Sequence, residues 1–366
     1  MTAFDSRDRE LMARALDLAA LGLDTTHPNP RVGCVIVQAG EIVGEGWHRR
    51  AGEPHAEAFA LDAAGARARG ATAYVTLEPC NHHGRTPPCT EGLIEAGVAR
   101  VVYAVPDPDP RVDGGGAARL RAAGIDVVSG LMAAEATELN LGFFSRVRRG
   151  RPWVRLKLAA SLDGRTALAS GESQWISSEA SRSDVQAWRA QSAAILTGVG
   201  TVLADDPALT VRGGPEPRRQ PLRVVLDSRL RTPAAAQVLT GPGASCLVIV
   251  EGTDAAHIAP ETPTALERVP AWPDGRTSLP EALRRLGSRQ VNEVWVEAGA
   301  TLSGALLQAG LVDELVLYLA PTLLGPDARP LALLPPLKRL ADRPAWRIHD
   351  LRTVGPDARI MLRPGG

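Results

Sequence analysis

The sequence predicts an α/β protein with two domains, and three observations support this fold class. The chain has 366 residues, about twice the length of an ordinary domain. Short β-branched runs alternate with helical patterns along most of it, as is typical of α/β proteins. A basic, turn-rich stretch at 145–152 separates an earlier group of such segments from a later group. We therefore place the domains at 1–145 and 146–366.

The composition favours a small substrate over a polymer. The 41 basic and 41 acidic residues balance, whereas a protein that grips long nucleic acid usually carries a basic surplus. Four cysteines are too few for a disulfide-rich secreted scaffold. The first residues are charged where a signal peptide would be apolar, and no apolar run has membrane-spanning length. We expect a cytoplasmic protein without nucleic-acid or membrane partners.

Local patterns predict the elements of the first domain. Apolar residues at helical spacing predict an amphipathic helix over 6–21. Two β-branched runs around an Ala-Gly turn predict a hairpin over 32–37 and 41–47. Further helices are expected over 55–68, 90–96 and 133–144, and further strands over 73–77, 100–105 and 125–128.

The second domain shows the same alternation. Strands are expected over 153–157, 194–197, 222–226, 246–250, 293–296 and 314–319. Helices are expected near 179–189, 279–286 and 302–309. The stretches 215–221 and 255–280 look like loops.

One stretch of the first domain has the composition of a catalytic zinc site. It offers an imidazole at His55, thiols at Cys80 and Cys89, and a carboxylate at Glu57. Zinc binds imidazole and thiolate in a tetrahedron, and a catalytic site leaves the fourth position to water. The metal lowers the pKa of that water towards neutrality, and Glu57 would carry protons between the water and a leaving group. The pattern H-x-E…P-C-x-x-C is typical of zinc nucleobase deaminases, but here eight residues separate the cysteines.

A structural zinc site is the alternative, and it needs a fourth protein ligand. His48, His82, His83 or Cys34 could supply one. We favour the catalytic site because an acid two residues after a metal histidine has no role in a structural one.

The sequence allows two roles for each of three polar residues near this stretch, Asn29, His82 and His83. Asn29, between two prolines, either bonds a planar heterocycle or serves a turn. His82 and His83 either contact substrate or are ordinary loop histidines. Cys34 is more typical of a small buried side chain than of a ligand.

The motifs closely resemble those of the bifunctional riboflavin-biosynthesis deaminase–reductase family. H-P-N-P at 27–30, V-G-C at 32–34, G-E-P-H-A-E at 52–57 and T-L-E-P-C-N-H-H-G-R-T-P-P-C at 76–89 resemble its deaminase half. K-L-A-A-S-L-D-G at 157–164, G-E-S-Q-W-I at 171–176, T-V-L-A-D-D-P at 201–207 and the segment 296–304 resemble its reductase half. The wide cysteine spacing agrees with this family.

The resemblance implies a cytidine-deaminase-like N-terminal domain and a dihydrofolate-reductase-like C-terminal domain. It implies Zn²⁺ held by His55, Cys80 and Cys89, with Glu57 as the catalytic proton carrier. The deaminase would replace the 2-amino group of 2,5-diamino-6-ribosylamino-4(3H)-pyrimidinone 5′-phosphate with oxygen. The reductase would then use NADPH to convert the ribosyl chain to ribityl, giving 5-amino-6-ribitylamino-uracil 5′-phosphate. A homo-oligomer is also implied.

The resemblance further implies a set of contacts in the reductase half. The Gly-rich segment 297–304 follows a strand and opens a helix, which suits a phosphate but alone is usually just a tight turn. The segment 198–203 lacks the third glycine of a dinucleotide-binding G-x-G-x-x-G. The implied cofactor contacts are Ala159, Trp175, Thr201, Asp205, Ser228, Gly299, Ala300, Thr301, Leu302, Ser303, Gly304 and Ala305. The implied substrate contacts are Ser173, Arg189, Leu209, Arg212 and Glu297, of which the two arginines suit a 5′-phosphate.

The proton donor of the reduction remains open among Lys157, Asp163 and Asp205. Our hypothesis is that Asp205 helps to place substrate or cofactor, and an unchanged reductase rate in Asp205→Asn would contradict it. Two other functions compete with the whole assignment. One is a deaminase of tRNA or a free nucleobase with a degenerate second half, and the other is a zinc-stabilised binding protein without turnover.

Overall fold

The computed structural model describes residues 4–82, 87–110, 112, 114–213, 219–254 and 264–365. Within it the chain divides into two compact units, Met1–Arg149 and Gly150–Gly366. Each unit has its own hydrophobic core, so the units are described separately.

The first unit is a five-stranded sheet with helices packed on it. Its strands are β1 (Gly33–Gln38), β2 (Glu41–Trp47), β3 (Thr72–Val75), β4 (Arg100–Tyr103) and β5 (Asp126–Ser129). They lie in the order β2-β1-β3-β4-β5, with β1 antiparallel to both neighbours and the last three strands parallel. The helices are α1 (Ser6–Ala20), α2 (Ala56–Ala64), α3 (Cys89–Glu95), α4 (Gly115–Ala122), α5 (Ala133–Leu139) and α6 (Leu141–Arg149).

Helix α2 packs closely on the hairpin because its buried face is made of alanines. Ala56, Ala60 and Ala64 recur every fourth residue and are all buried, so they form one stripe of the helix. Such small side chains allow the helix backbone to approach the sheet. This packing fixes the N-terminus of α2, where His55 lies as the N-cap residue.

The second unit is built on a nine-stranded sheet. Its strands follow the order β11-β10-β9-β8-β12-β6-β13-β16-β15, all parallel except the pairs that involve β16. They are β6 (Trp153–Ser161), β8 (Ala194–Gly198), β9 (Leu222–Leu226), β10 (Ser245–Val250), β11 (Thr264–Val269), β12 (Glu293–Glu297), β13 (Glu314–Ala320), β15 (Trp346–Val354) and β16 (Asp357–Pro364). A small separate pair joins β7 (Arg165–Ala167) to β14 (Arg329–Pro330).

Five helices accompany this sheet in the described residues. They are α7 (Glu179–Gln191), α8 (Val199–Asp205), α9 (Gln237–Thr240), α10 (Leu279–Ser288) and α11 (Ala300–Gln308). Helices α8 and α11 directly follow strands β8 and β12, so their N-termini lie at the carboxyl ends of parallel strands, where α/β proteins bind ligands. No helix in the described part of either unit is long and apolar enough to cross a bilayer.

The structure corrects three expectations about the elements. The turn-rich break expected from residue 145 is wrong as far as residue 149, because these residues form the second half of α6. The loop expected over 255–280 is wrong in part, because Thr264–Val269 forms β11 beside β10. The helix expected to begin after Cys89 begins at Cys89 itself. Helix α4 and strands β15 and β16 carry no local pattern that we recognised.

Candidate active sites

Three local structures bring the predicted zinc ligands together in the first unit. His55 caps α2 with an extended backbone. Cys89 is the first residue of α3, after Pro88 as N-cap. Cys80 lies in the loop after β3. The ligands therefore come from the starts of two helices and from the loop that follows a strand of the sheet.

The ligand atoms form a nearly equilateral triangle. The His55 Nδ1 atom lies 3.2 Å from Cys89 Sγ and 3.5 Å from Cys80 Sγ, and the two sulfur atoms are 3.4 Å apart. A tetrahedral zinc ion with ordinary bond lengths separates such atoms by roughly 3.5–3.8 Å. The donor types and the triangle therefore fit zinc with a shift of a few tenths of an ångström.

No fourth histidine, cysteine or carboxylate joins this cluster among the described residues. His48 has both ring nitrogens engaged, Nε2 with the Asn29 amide at 3.0 Å and Nδ1 with the Pro54 carbonyl at 3.1 Å. Cys34 is buried in strand β1. His83, which was also considered as a ligand, lies outside the described residues. The arrangement has the three protein ligands of a catalytic zinc site.

Glu57 is buried beside the cluster without being part of it. The carboxyl group is 3% exposed and shares a hydrogen bond with the Cys89 thiol. Burial raises the pKa of Glu57, and the nearby His55 opposes this effect. A hydrogen bond with Cys89 lowers the pKa of the Cys80 thiol to about 4, against the effect of burial. The site thus favours thiolate at Cys80 and places one carboxyl group where a proton carrier is needed.

Three further polar residues lie around the cluster. Asn29 and His82 were considered from the sequence, whereas Asp107 was not. Asn29 Nδ2 donates to His48 Nε2 at 3.0 Å, so Asn29 lies at this site rather than in a remote turn. His82 has a buried Nδ1 atom with no partner among the described residues, which a ligand could satisfy. Asp107 is buried, and burial raises its pKa to about 7. Its only local signal is its place between two prolines just after β4.

The second unit contains a large cleft of about 1740 Å³ at the carboxyl ends of its central strands. Gly198, Leu226 and Glu297, the last residues of β8, β9 and β12, line it. Most of the predicted contacts also line it: Ala159, Ser173, Trp175, Arg189, Thr201, Asp205, Leu209, Arg212, Ser228, Gly299, Ala300, Thr301, Leu302 and Ala305. Positions scattered over nearly 150 residues of sequence therefore converge on one space.

Two of the predicted cofactor contacts do not line the cleft. Ser303 is fully buried, and its hydroxyl group donates to the Ala298 carbonyl at 3.2 Å. A β-carbon at Gly304 would lie 1.9 Å from the Leu333 carbonyl oxygen. Ser303 therefore bonds a residue just before the start of α11, and Gly304 allows the helix to pack against Leu333.

The first turn of α11 is suited to a phosphate group. Its N-cap, Gly299, makes no side-chain capping hydrogen bond, and a β-carbon there would meet nothing within 4 Å. The opening residues Ala300, Thr301 and Leu302 line the cleft. The amide groups at the start of a nine-residue helix thus face open space, which is the usual setting for a bound phosphate.

Arg189 and Glu297 form a bidentate ion pair at the cleft. Arg189 Nε and Nη2 lie 2.6 and 2.9 Å from the Glu297 carboxylate oxygens, and Nη1 donates to the Thr210 carbonyl at 2.9 Å. Burial opposes ionisation of Glu297, but Arg189 outweighs it and holds the pKa at about 2. Most of the Arg189 charge is therefore balanced inside the protein. Arg212 is exposed, and no ion pair of its side chain is found in the described part of the chain.

The three candidate proton donors have different environments. Lys157 lies opposite Glu297 in the parallel β6–β12 pair, and burial lowers its pKa. Asp163 is not at the cleft, because its carboxylate accepts from Ser161 Oγ, Leu324 N and Gly325 N. Asp205 is exposed at the end of α8 and lines the cleft. Of the three, only Lys157 both lines the cleft and is half-buried near a carboxylate, that of Glu297.

Trp175 forms one wall of the cleft and is 66% exposed. The Arg182 guanidinium stacks on its ring at 4.5 Å from the centroid and also donates to the Ser177 carbonyl at 2.7 Å. Sequence reasoning missed Arg182, which lies one turn into α7. The contact that identifies Arg182 is its cation–π interaction with Trp175, and no local sequence pattern indicates this interaction.

Two protein families match successive parts of the chain. Residues 5–105 match the family of the cytidine and deoxycytidylate deaminase zinc-binding region, and residues 152–360 match the RibD C-terminal domain. The riboflavin biosynthesis protein RibD of Escherichia coli K12 is 56% identical over 97% of this chain and 99% of its own length. The chain belongs to the RibD family.

Solved structures of RibD-family proteins have the same fold. Form 1 of Acinetobacter baumannii RibD superposes with a TM-score of 0.91 at 45% identity, covering 98% of this chain and 99% of that one. A Thermotoga maritima diaminohydroxyphosphoribosylaminopyrimidine deaminase/5-amino-6-(5-phosphoribosylamino)uracil reductase gives 0.86 at 32% identity, covering 98% and 99%. The predicted fold class is confirmed, with a cytidine-deaminase-like first part and a dihydrofolate-reductase-like second part. The chain is a bifunctional deaminase and reductase of riboflavin biosynthesis.

Proposed function

We propose that the enzyme first deaminates 2,5-diamino-6-ribosylamino-4(3H)-pyrimidinone 5′-phosphate at C2 and then reduces the ribosyl chain of the product with NADPH. The product would be 5-amino-6-ribitylamino-uracil 5′-phosphate. One observation carries the proposal: the two units hold two different sites. The first unit has a three-ligand cluster beside the buried carboxyl group of Glu57, and the second has a cleft that the first turn of α11 lines. The Thermotoga relative named above supports the choice of substrates by its name.

In the deaminase site, His55, Cys80 and Cys89 would hold the zinc ion. Bound there, zinc supplies Lewis-acid activation of a water molecule at neutral pH. Glu57 would take a proton from the attacking water and pass it to the ring nitrogen. It would then take the proton of the hydroxyl group newly bonded to C2 and deliver it to the amine, which leaves as ammonia. The burial of Glu57 keeps competing water away from these transfers. The Asn29 side-chain oxygen and the His82 Nδ1 atom, which has no partner among the described residues, offer polar contacts for the pyrimidine ring.

In the reductase site, the first turn of α11 would bind a phosphate of the nicotinamide cofactor, which supplies hydride when bound. Trp175, with Arg182 behind it, offers a flat surface for a planar ring. Ala159, Thr201, Asp205 and Ser228 also line the cleft and would contact the cofactor. Ser173 and Leu209 would contact the substrate. Arg212 is the better partner for the substrate 5′-phosphate, because Arg189 is already balanced by Glu297.

The proton for the reduction is best assigned to Lys157, which lies opposite Glu297 in the β6–β12 strand pair. Lys157 is the only one of the three candidates that lines the cleft, is half-buried and has a pKa lowered by desolvation. A lysine of lowered pKa gives up its proton more readily near neutral pH. We therefore expect Lys157→Gln to slow reduction strongly, whereas Asp163→Asn affects mainly the local turn that it stabilises.

The decisive experiment follows ammonia release and NADPH oxidation together in the purified enzyme with the diaminopyrimidinone nucleotide. We expect ammonia to appear first and NADPH to be consumed afterwards, with NADH a poor substitute. Ammonia release from an RNA stem-loop without NADPH oxidation would instead favour the tRNA deaminase. We also propose that the enzyme is a cytoplasmic homo-oligomer, which light scattering and fractionation would test.

A further inference from the structure

Helix α4 lies against the zinc-ligand loop on both sides of Cys80. On the side before the cysteine, the Glu78 carboxylate accepts from Ala117 N at 3.0 Å and Gly114 N at 3.2 Å, at the start of the helix. A β-carbon at Gly116 would lie 1.9 Å from the Pro79 carbonyl oxygen. The helix therefore touches the backbone of the residue immediately before the metal ligand.

On the side after the cysteine, one guanidinium group joins the two thiolate segments. Arg119 Nη1 donates to Asn81 Oδ1 at 2.9 Å, and Arg119 Nη2 donates to Glu91 Oε1 at 2.9 Å. Asn81 directly follows Cys80, and Glu91 lies two residues after Cys89. The Thr90 hydroxyl group closes the arrangement by donating to the same Asn81 oxygen at 3.2 Å.

We propose that Arg119 is a positioning residue of the zinc site, which holds the Cys80 and Cys89 segments at the spacing that the metal needs. This inference rests on the zinc site proposed above. Direct bonds between the segments already exist, since Cys89 N donates to Cys80 Sγ at 3.3 Å and Thr90 N to the Cys80 carbonyl at 3.2 Å. Arg119 adds an anchor from a separate helix, so the loop is fixed to the body of the unit.

Retention of the metal is the property that such an anchor controls. Groups outside the ligand set commonly change metal affinity about 10- to 100-fold when they are mutated. Arg119 is 40% exposed and Glu91 29%, so their ion pair alone contributes little to overall stability. The effect should therefore appear in zinc release more than in the unfolding temperature.

The test measures zinc release from full-length, zinc-loaded enzyme into an excess of a chromogenic chelator. Arg119→Gln is expected to release zinc about 10-fold faster than the wild type. Arg119→Lys keeps the charge but cannot bridge two acceptors with the same fork, so its rate should lie between these values. The matched control is Arg121→Gln on the same helix, whose guanidinium donates to the Val127 carbonyl at 3.2 Å instead. It should match the wild type.

The outcomes separate this inference from the proposed function. Zinc release from Arg119→Gln within twofold of the wild-type rate would overturn the role of Arg119 and leave the zinc site intact. If Arg119→Gln does not fold, Arg119→Lys decides, and release at the wild-type rate overturns the inference. A wild-type enzyme that holds no zinc would overturn both.

Discussion

His55 and Glu57, at the start of α2, have different environments although only Ala56 lies between them. His55 is the N-cap and points its ring nitrogen at two sulfur atoms. Glu57, in the first turn, is buried and bonds the Cys89 thiol without joining the ligand set. A helix start allows this because residues two apart point to different sides of the helix, yet both remain within reach of its end.

Replacing Glu57 by glutamine should remove the proton carrier while preserving shape. We expect ammonia release to fall by a factor of about 10² to 10⁴, the usual share of general acid–base catalysis. Reduction of substrate that is already deaminated should continue, since its residues lie in the other unit. Asp62→Asn, an exposed acid on the same helix, serves as control and should keep full activity. Loss of both activities in Glu57→Gln would show that the division of labour is wrong.

The Arg189–Glu297 pair should make stability depend on acid pH. The folded-state pKa of Glu297 is about 2, below the value of about 4.3 for an unfolded chain. Its contribution is therefore complete above about pH 4.3 and is lost as the pH falls towards 2, and it amounts to about 3 kcal/mol. In Glu297→Gln this part of the pH dependence should be missing, and the variant should be less stable at pH 7 because Arg189 is left buried without its partner. Urea unfolding between pH 2 and 7 would check both, and parallel curves for the two proteins would contradict the assignment.

At the scale of elements, α11 combines an open first turn with a tightly packed body. Gly299 has free space around it, whereas Gly304 meets the Leu333 carbonyl. A side chain at position 304 would push the helix away from the 331–333 segment. Because the first turn lies at the cleft, this displacement would also move the amide groups that face it.

Gly304→Ala should therefore destabilise the second unit and weaken cofactor binding together. Overpacking of this kind costs about 1–3 kcal/mol. Thermal unfolding should occur at a lower temperature, and the Kd for NADPH, measured by fluorescence quenching, should rise. Gly299→Ala is the steric control for stability, since its added carbon meets nothing and its φ of −72° suits any residue. An unfolding temperature of Gly304→Ala equal to that of the wild type would mean that α11 can shift freely.

At the scale of the whole molecule, each compact unit carries its own complete set of candidate groups. The zinc cluster and Glu57 lie within Met1–Arg149, and all residues that line the cleft lie within Gly150–Gly366. Among the described residues, neither site therefore contains a residue of the other unit.

Removing zinc should consequently stop one reaction and spare the other. Enzyme treated with a chelator should release no ammonia but should still oxidise NADPH when given the deaminated intermediate, and added zinc should restore the first step. Metal analysis and the two assays on the same sample would check this. If chelation abolished the reduction as well, the second site would depend on the metal or on the metal-stabilised fold of the first unit.

The sequence by itself determined the chemistry of the metal site and most of the sheet. Few residue types bind zinc, so His55, Cys80 and Cys89 stand out even without a fold. Strand β9 was predicted with its observed limits because a β-branched stretch, polar only at Arg223, lies between Pro221 and Asp227. The family motifs added the two activities, since they cover nearly the whole chain.

Only the tertiary structure decided which polar groups work together. Arg189 and Glu297 are 108 positions apart, and Arg119 reaches residues 28 and 38 positions away. Local periodicity reports which face of an element is apolar, but it contains no information about which distant side chain will lie opposite. The same reason explains why α4 was missed: its stabilising partners, Glu78 and Asn81, belong to another segment, so its helical state is a consequence of packing rather than of its own pattern.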